Sequence, residues 1–350
     1  MSAATHISLP INPDAVPHRP LVSVLLPYRN AQHTLAAAVE SILAQSYTNI
    51  ELILVNNGST DQSRAVAEQF AHTDPRVRCA EEPRRGVVFA TEKAYSLARG
   101  TLIARMDADD TAFPEKLEKQ VAYLLAHPQL GGVSCLVENG AHEDIAGGGM
   151  DYYVQWTNTR ISAEEIAVSR FVESPIINPT ILLHRTTIEQ HGLYLSGDFP
   201  EDYELWLRLL HRGVLLAKVP EVLLRWNDSS HRLTRTDSLY STDAFYRIKS
   251  RYAALALQPV TAQCRQLFVW GAGRVTRHRV ALLEAEGVCI DRFIDLKANA
   301  QGNVMCYRDL VYSPGIFVLV YVASRGARAD IQAYLTALGF AEGTDFLCMA

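Results

Sequence analysis

The sequence predicts an α/β protein, a mostly parallel sheet flanked by helices and followed by a second, smaller α/β unit. Three observations predict it. Short apolar runs alternate with segments of helical spacing between residues 21 and 126, polar groups gather directly after those runs, and the alternation begins afresh at Leu267.

Residues 1–20 hold four prolines and no periodicity, and are expected to form a disordered arm. Leu21 to Leu26 is an apolar run that Pro27 should stop. A helix is expected over 34–45, and a second strand over 50–55 ends in Asn56-Asn57-Gly58-Ser59. Such strand-helix-strand units build parallel sheets. A helix over 62–72, a strand over 77–80, a helix over 88–99, a strand over 102–106 and a helix over 114–126 continue the pattern. The stretch from Gly131 to Gly149 is rich in glycine and reads as turns. A strand follows at 180–183, then a helix over 202–211 stopped by Gly213, a strand over 219–226, and a polar loop to about 241. The expected boundaries are 21–245 for the first domain, 246–264 for a helical linker and 265–350 for the second domain. In the latter, Leu267-Phe268-Val269-Trp270 leads into Gly271-Ala272-Gly273 and a helix, as in the first turn of a Rossmann-like unit.

With 350 residues, 48% of them apolar, the chain can bury two cores. Its net charge of -5 argues against a nucleic-acid partner, which would call for a surplus of Lys and Arg. The six cysteines form no CxxC pair, so neither a zinc site nor a disulfide framework is indicated. This cysteine usage fits a reducing cytoplasm, and a soluble protein, free to work at the inner face of a membrane, is expected because no run approaches the ~20 apolar residues of a membrane span. The sequence leaves the oligomeric state open.

Ile103-Ala104-Arg105-Met106-Asp107-Ala108-Asp109-Asp110 sets three carboxylates directly after a buried strand. Functional groups of parallel sheets collect at the carboxyl ends of strands. Mg²⁺ or Mn²⁺ takes oxygen ligands and completes its shell with water and substrate phosphate, so Asp107, Asp109 and Asp110 are the candidate metal ligands. The alternative is that Asp109 or Asp110 caps the helix beginning near Pro114.

Four segments in order decide between these readings. They are Ser23-Val24-Leu25-Leu26-Pro27-Tyr28-Arg29-Asn30, Leu54-Val55-Asn56-Asn57-Gly58-Ser59-Thr60-Asp61, the segment ending in Asp107-Ala108-Asp109-Asp110, and Pro200-Glu201-Asp202-Tyr203-Glu204-Leu205-Trp206. Together they resemble the ordered signatures of family 2 glycosyltransferases with the GT-A fold, over residues 21 to 245. The resemblance implies inverting transfer of a sugar from a nucleotide-sugar donor to a hydroxyl of a glycan, lipid-linked or other acceptor, in surface polysaccharide assembly. It places Pro27, Tyr28, Asn30, Asn57, Ser59 and Asp107 around the nucleotide, Asp109 foremost on the metal, and Asp202 as catalytic base. Glu201 and Trp206 would stand near the acceptor or behind the base. Relatives often carry Asp-Asp where this chain has Asn56-Asn57. An Asn amide both donates and accepts hydrogen bonds where a carboxylate only accepts, which weakens the assignment to uracil; a UDP-sugar remains the first choice, with dTDP- and GDP-sugars open. In relatives the stretch after the last strand can fold over the diphosphate, which singles out Arg232 and Arg235, since Arg suits bidentate phosphate contact.

Two other readings remain. An NAD-linked oxidoreductase centred on Gly271 and Asp295 is disfavoured, because Thr276 stands where the third glycine would be and no proton-relay constellation accompanies the loop. A scaffold with a decayed site is disfavoured by the presence of both Asp109 and Asp202.

Overall fold

The structure is a computed structural model that describes residues 19–140, 149–227, 238–299, 302–324 and 326–350. The expected arm therefore lies, but for its last two residues, outside the described residues, as do Arg232 and Arg235.

The first half follows the expected alternation. Strands β1 (Val22–Tyr28), β2 (Ile50–Asn56), β3 (Val77–Glu81) and β4 (Leu102–Arg105) are interleaved with helices α1 (Leu35–Leu43), α2 (Ser63–Thr73) and α3 (Val87–Leu97). They pair in parallel in the order β3-β2-β1-β4. Every residue of β1 and β2 is buried, because helices cover both faces. Val22, Val24 and Leu26 face α1, while Leu25, Ile53 and Val55 face Ala90 and Ala94 of α3.

β1 does not stop at Pro27. It runs on through Tyr28, since Pro27 pairs with Val55 on one side while pairing with β4 has already ended at Leu25 and Arg105. A missing N–H is harmless where one side of a strand is unpaired.

The sheet continues through β5 (Thr111–Ala112), β6 (Leu130–Gly140), β7 (Leu182–His184) and β8 (Leu215–Asn227), with helix α4 (Lys116–Ala126) packed beside β6. Among the described residues it has eight strands, ordered β3-β2-β1-β4-β7-β6-β8-β5, with β7 antiparallel to both β4 and β6. The turn reading of residues 131–140 is thus corrected to a long strand. Gly131 and Gly132 serve close packing, for a Cβ on Gly132 would stand 2.4 Å from the Leu183 side chain. Helices α5 (Gly149–Asn158), α6 (Ala163–Ser169) and α7 (Arg185–His191) went unread in the sequence, although α6 opens with a capping box of Ser162 and Glu165.

Helix α8 (Glu201–His211) precedes β8, and α9 (Thr242–Ala262) leads to the second sheet. Strands β9 (Gln266–Trp270), β10 (Arg292–Asp295), β11 (Val304–Cys306), β12 (Ile316–Val320) and β13 (Phe346–Cys348) are parallel, in the order β11-β10-β9-β12-β13. Helices α10 (Arg274–Glu284) and α11 (Ala327–Ala337) cover its two faces. The α9 segment, expected as a linker, is a packed layer: Tyr246 and Leu257 share one core with Tyr203 and Leu207 of α8 and with Leu267, Phe317 and Leu347 of the second sheet. Among the described residues, no helix is long and apolar enough to cross a membrane.

Candidate active site

The carboxyl ends of β1, β2 and β4 lie side by side, and the loops leaving them are stitched together. The Asn30 amide N–H donates to Ser59 Oγ at 3.1 Å, and the Thr60 N–H donates to Asn30 Oδ1 at 2.8 Å. Asn30 adopts a φ of 49°, a left-handed conformation that Asn tolerates better than most residues. Behind it, Asp61 accepts from the Gln32 and Ser63 amides and from Ser63 Oγ. Asn30 and Ser59, both named from the sequence, are thus in direct contact. Pro27 and Tyr28 are buried within β1, and the Tyr28 ring joins the first core. Burial, chiefly, and nearby thiol and carboxylate groups push its hydroxyl pKa up.

Asn57 is committed inward. Its Nδ2 donates to the carbonyls of Glu82 (3.0 Å) and Arg84 (2.7 Å), and its Oδ1 accepts from the Gly86 N–H at 2.9 Å. An Asp could not donate these two bonds. Asn at this position therefore shapes the 82–86 loop, in which Glu82 also accepts from the Arg84 guanidinium.

After β4, ligand oxygens of Asp107, Asp109 and Asp110 all lie within 4.8 Å of one another. The donor set is all oxygen, which suits a hard divalent cation. Neither Asp109 nor Asp110 caps α4, whose N-cap is Glu115 without a side-chain bond, so the capping alternative falls. Asp110 is fully buried and its Oδ1 accepts the Asn227 N–H at 2.8 Å; Asn227 Nδ2 donates to the Asp109 carbonyl at 2.8 Å. Asn227 at the end of β8 thereby fixes the turn that carries the acids.

Arg105 lies behind the cluster, 5% exposed, with its Nη2 2.6 Å from Asp107 Oδ1 and Nη1 donating to the Leu25 and Met106 carbonyls. Burial works against this cation, but Asp107, Tyr194 and Glu201 outweigh it and raise its pKa. Lys116, also buried, donates to the Pro179 carbonyl at 2.7 Å.

Glu201 and Asp202 open α8, whose N-cap, Pro200, makes no side-chain bond, so the acids themselves complement the exposed amides and dipole of the first turn. Asp202 Oδ1 accepts the Tyr203 N–H at 2.7 Å, and Glu201 Oε2 accepts the Tyr240 hydroxyl at 2.7 Å. Burial, then the Glu201 charge, and more weakly Asp107, push the Asp202 carboxyl up to about 8. Burial also raises Glu201. Asp107 thus acts electrostatically on both carboxyls, linking the cluster to the pair. Trp206 has no exposed surface and packs with Leu205, Leu209 and Ile176, which leaves it a place behind the pair and no direct access to an acceptor.

Arg105, Tyr194, Asn227 and Tyr240 were not singled out from the sequence. Arg105 had a readable signal, since a cation ending an apolar strand needs a carboxylate nearby. Two hollows of about 370 and 580 Å³ lie along α9 and the second sheet, lined by residues such as Arg170 and Phe317 or Arg251 and Asp291.

The second sheet has a comparable edge with different contents. Gly271 takes a φ of 110°, and a Cβ there would meet Thr276 Oγ1 at 3.0 Å. Asp295 Oδ2 accepts the Ala272 N–H at 2.8 Å, filling the loop with the chain's own carboxylate.

Solved glycosyltransferases of the GT-A type share this fold. TarS 1–349 of S. aureus, solved with UDP-GlcNAc, superposes with a TM-score of 0.54 at 14% identity, over 76% of this chain and 71% of that one. The mannosyltransferase PcManGT of Pyrobaculum calidifontis, solved with GDP-Man and Mn²⁺, gives 0.51 at 18% identity, over 77% and 70%. The family model named glycosyl transferase family 2 matches residues 23–185. EpsE of Bacillus subtilis is 31% identical over 233 residues, 64% of this chain and 79% of that protein. WfgD of Escherichia coli, a UDP-Glc:alpha-D-GlcNAc-diphosphoundecaprenol beta-1,3-glucosyltransferase, is 29% identical over 240 residues, 67% and 85% of the respective chains. The chain belongs to glycosyltransferase family 2, and it is a glycosyltransferase enzyme.

Proposed function

We propose that the chain moves a sugar, with inversion, from a nucleoside diphosphate donor, a UDP-sugar in the first instance, to a hydroxyl of a lipid-linked or growing surface glycan. The observation that carries this is the Glu201–Asp202 pair at the start of α8, electrostatically joined to the Asp107 cluster. A half-buried carboxylate raised toward neutral pH is a competent general base. Asp202 takes the acceptor proton as the acceptor oxygen forms its bond to the anomeric carbon. The bond from that carbon to the diphosphate breaks in the same displacement, so no second nucleophilic carboxylate is required.

Asp107, Asp109 and Asp110 fit a divalent cation and would hold Mn²⁺ or Mg²⁺, which when bound offsets charge on the departing diphosphate. Asn30, Ser59 and the loop shaped by Asn57 border the nucleoside, with Pro27 and Tyr28 forming the strand beneath. Arg232 and Arg235 are proposed for the diphosphate. The diphosphoundecaprenol acceptor in WfgD's name supports a lipid-linked acceptor, and with it work at the cytoplasmic face of a membrane through peripheral contact.

A thermal-shift screen of UDP-, dTDP- and GDP-sugars, each with and without Mn²⁺, tests the reading. A UDP-sugar should raise Tm in a Mn²⁺-dependent way, since a ligand of the native state stabilises it by mass action. Binding of NADH in place of every nucleotide sugar would overturn it.

A further inference from the structure

Tyr240 belongs to a short 3-10 turn, Ser238–Tyr240, between the first sheet and α9. Its hydroxyl reaches back 39 residues to donate to Glu201 Oε2 at 2.7 Å. Glu201 is 7% exposed, and its neighbour in sequence is the carboxylate assigned above as the base. A hydrogen bond to an ionised carboxylate favours that form, and so does a nearby cation. Among the described residues, Arg105 at the end of β4 is a cation acting on Glu201.

We propose that Tyr240 is a positioning residue of the transfer reaction, which holds Glu201 ionised and fixed beside Asp202 so that the Glu201 charge strengthens Asp202 as a base. The inference rests on Asp202 being that base. Two adjacent carboxyls, one buried and one half-buried, do not both ionise freely, so whichever is better hydrogen-bonded keeps its charge and the other holds the proton more tightly. Tyr240 thus decides which member of the pair takes a proton from the acceptor. Among the described residues, the groups facing the pair are Arg105 and Asp107 from the end of β4, Tyr194 from the segment after α7, and Tyr240 itself. Tyr194 does not share the task, because its hydroxyl donates to Asn178 Oδ1 at 2.5 Å.

The test is a carboxyl titration by NMR on the full chain with ¹³Cγ-labelled aspartate, the Asp202 signal being identified by its loss in Asp202→Asn. Removing only the hydroxyl, as Tyr240→Phe, should lower the Asp202 midpoint by about one pH unit, and Glu201→Gln should lower it further. The double variant should match Glu201→Gln alone, since the tyrosine acts through the glutamate. Release of UDP from UDP-glucose and UDP-GlcNAc, with water as acceptor, should move its acid limb the same way and fall about tenfold at its plateau, with the UDP dissociation constant unchanged. An unmoved midpoint in Tyr240→Phe, or shifts that add in the double variant, overturns the inference even if Asp202→Asn is inactive. Full UDP release by Asp202→Asn overturns the base assignment instead, whatever the titrations show.

Discussion

Among the described residues lie a mixed sheet and a parallel one, each with a glycine-bearing loop and an aspartate at a carboxyl edge, and the two edges are furnished differently. After β4 three carboxylates converge, with a buried arginine behind them and a second carboxylate pair within electrostatic reach. After β10 a lone Asp295 has turned onto the loop amide that would otherwise face a phosphate. Similar topology has therefore been put to different ends, and function follows the side chains at the edge more than the sheet that carries them. The second sheet also lends its core to α8, through Tyr203 and Leu207, and so backs the helix that presents Asp202.

The sharpest way to break the contrast is Asp202→Asn. Loss of a general base should cut transfer by about 10³-fold while Mn²⁺-dependent UDP binding persists. The same change should stabilise the fold. Asp202 has a pKa raised above its unfolded value, so its contribution to stability is complete below the ordinary carboxylate range and is lost as pH rises toward about 8. The variant should melt higher than the parent by about 2 °C at pH 8 and no differently at pH 4. Equal melting points at both pH values would show that the site stores no such penalty. Next in size, Asp109→Ala should weaken Mn²⁺-dependent UDP binding by about 10-fold to 100-fold and leave any metal-free binding as it was. Calorimetric titration showing one affinity for both proteins would make the cluster structural.

How much of this could be read in advance depended on how local each signal was. The strands β1 to β4 were legible because burial on both faces demands continuous apolar runs, and Asp107, Asp109 and Asp110 because they follow one of them. β6 was hidden by Gly131 and Gly132, whose hydrogen side chains make room for Val214 and Leu183, contacts made about fifty residues or more along the chain. Asn57 reads in the sequence as a contact for the donor base, and its partners 25 to 29 residues on reveal a loop clamp. Glu201 was visible as half of an acidic pair, but Tyr240 stands after a polar stretch with no period to mark it. Pairings of this kind are settled by tertiary packing alone.

The smallest expected effect probes the quieter edge. Asp295 accepts two amide protons, from Ala272 at 2.8 Å and Leu296 at 2.7 Å. Asp295→Ala leaves the Ala272 N–H without its partner at the mouth of the loop, a loss of about 1 kcal/mol, or about 2 °C in Tm. Transfer should stay within about twofold of the parent, because Asp295 touches no part of the site around Asp107 and Asp202. If the second edge were instead a working dinucleotide site, the parent would bind NADH and Asp295→Ala would lose that binding, since an acid at this position then holds a ribose hydroxyl. Equilibrium dialysis of both proteins with NADH separates the outcomes. Binding by neither leaves the contrast between the two edges standing, and binding by the parent alone would make Asp295 a ligand residue and the second sheet a site in its own right.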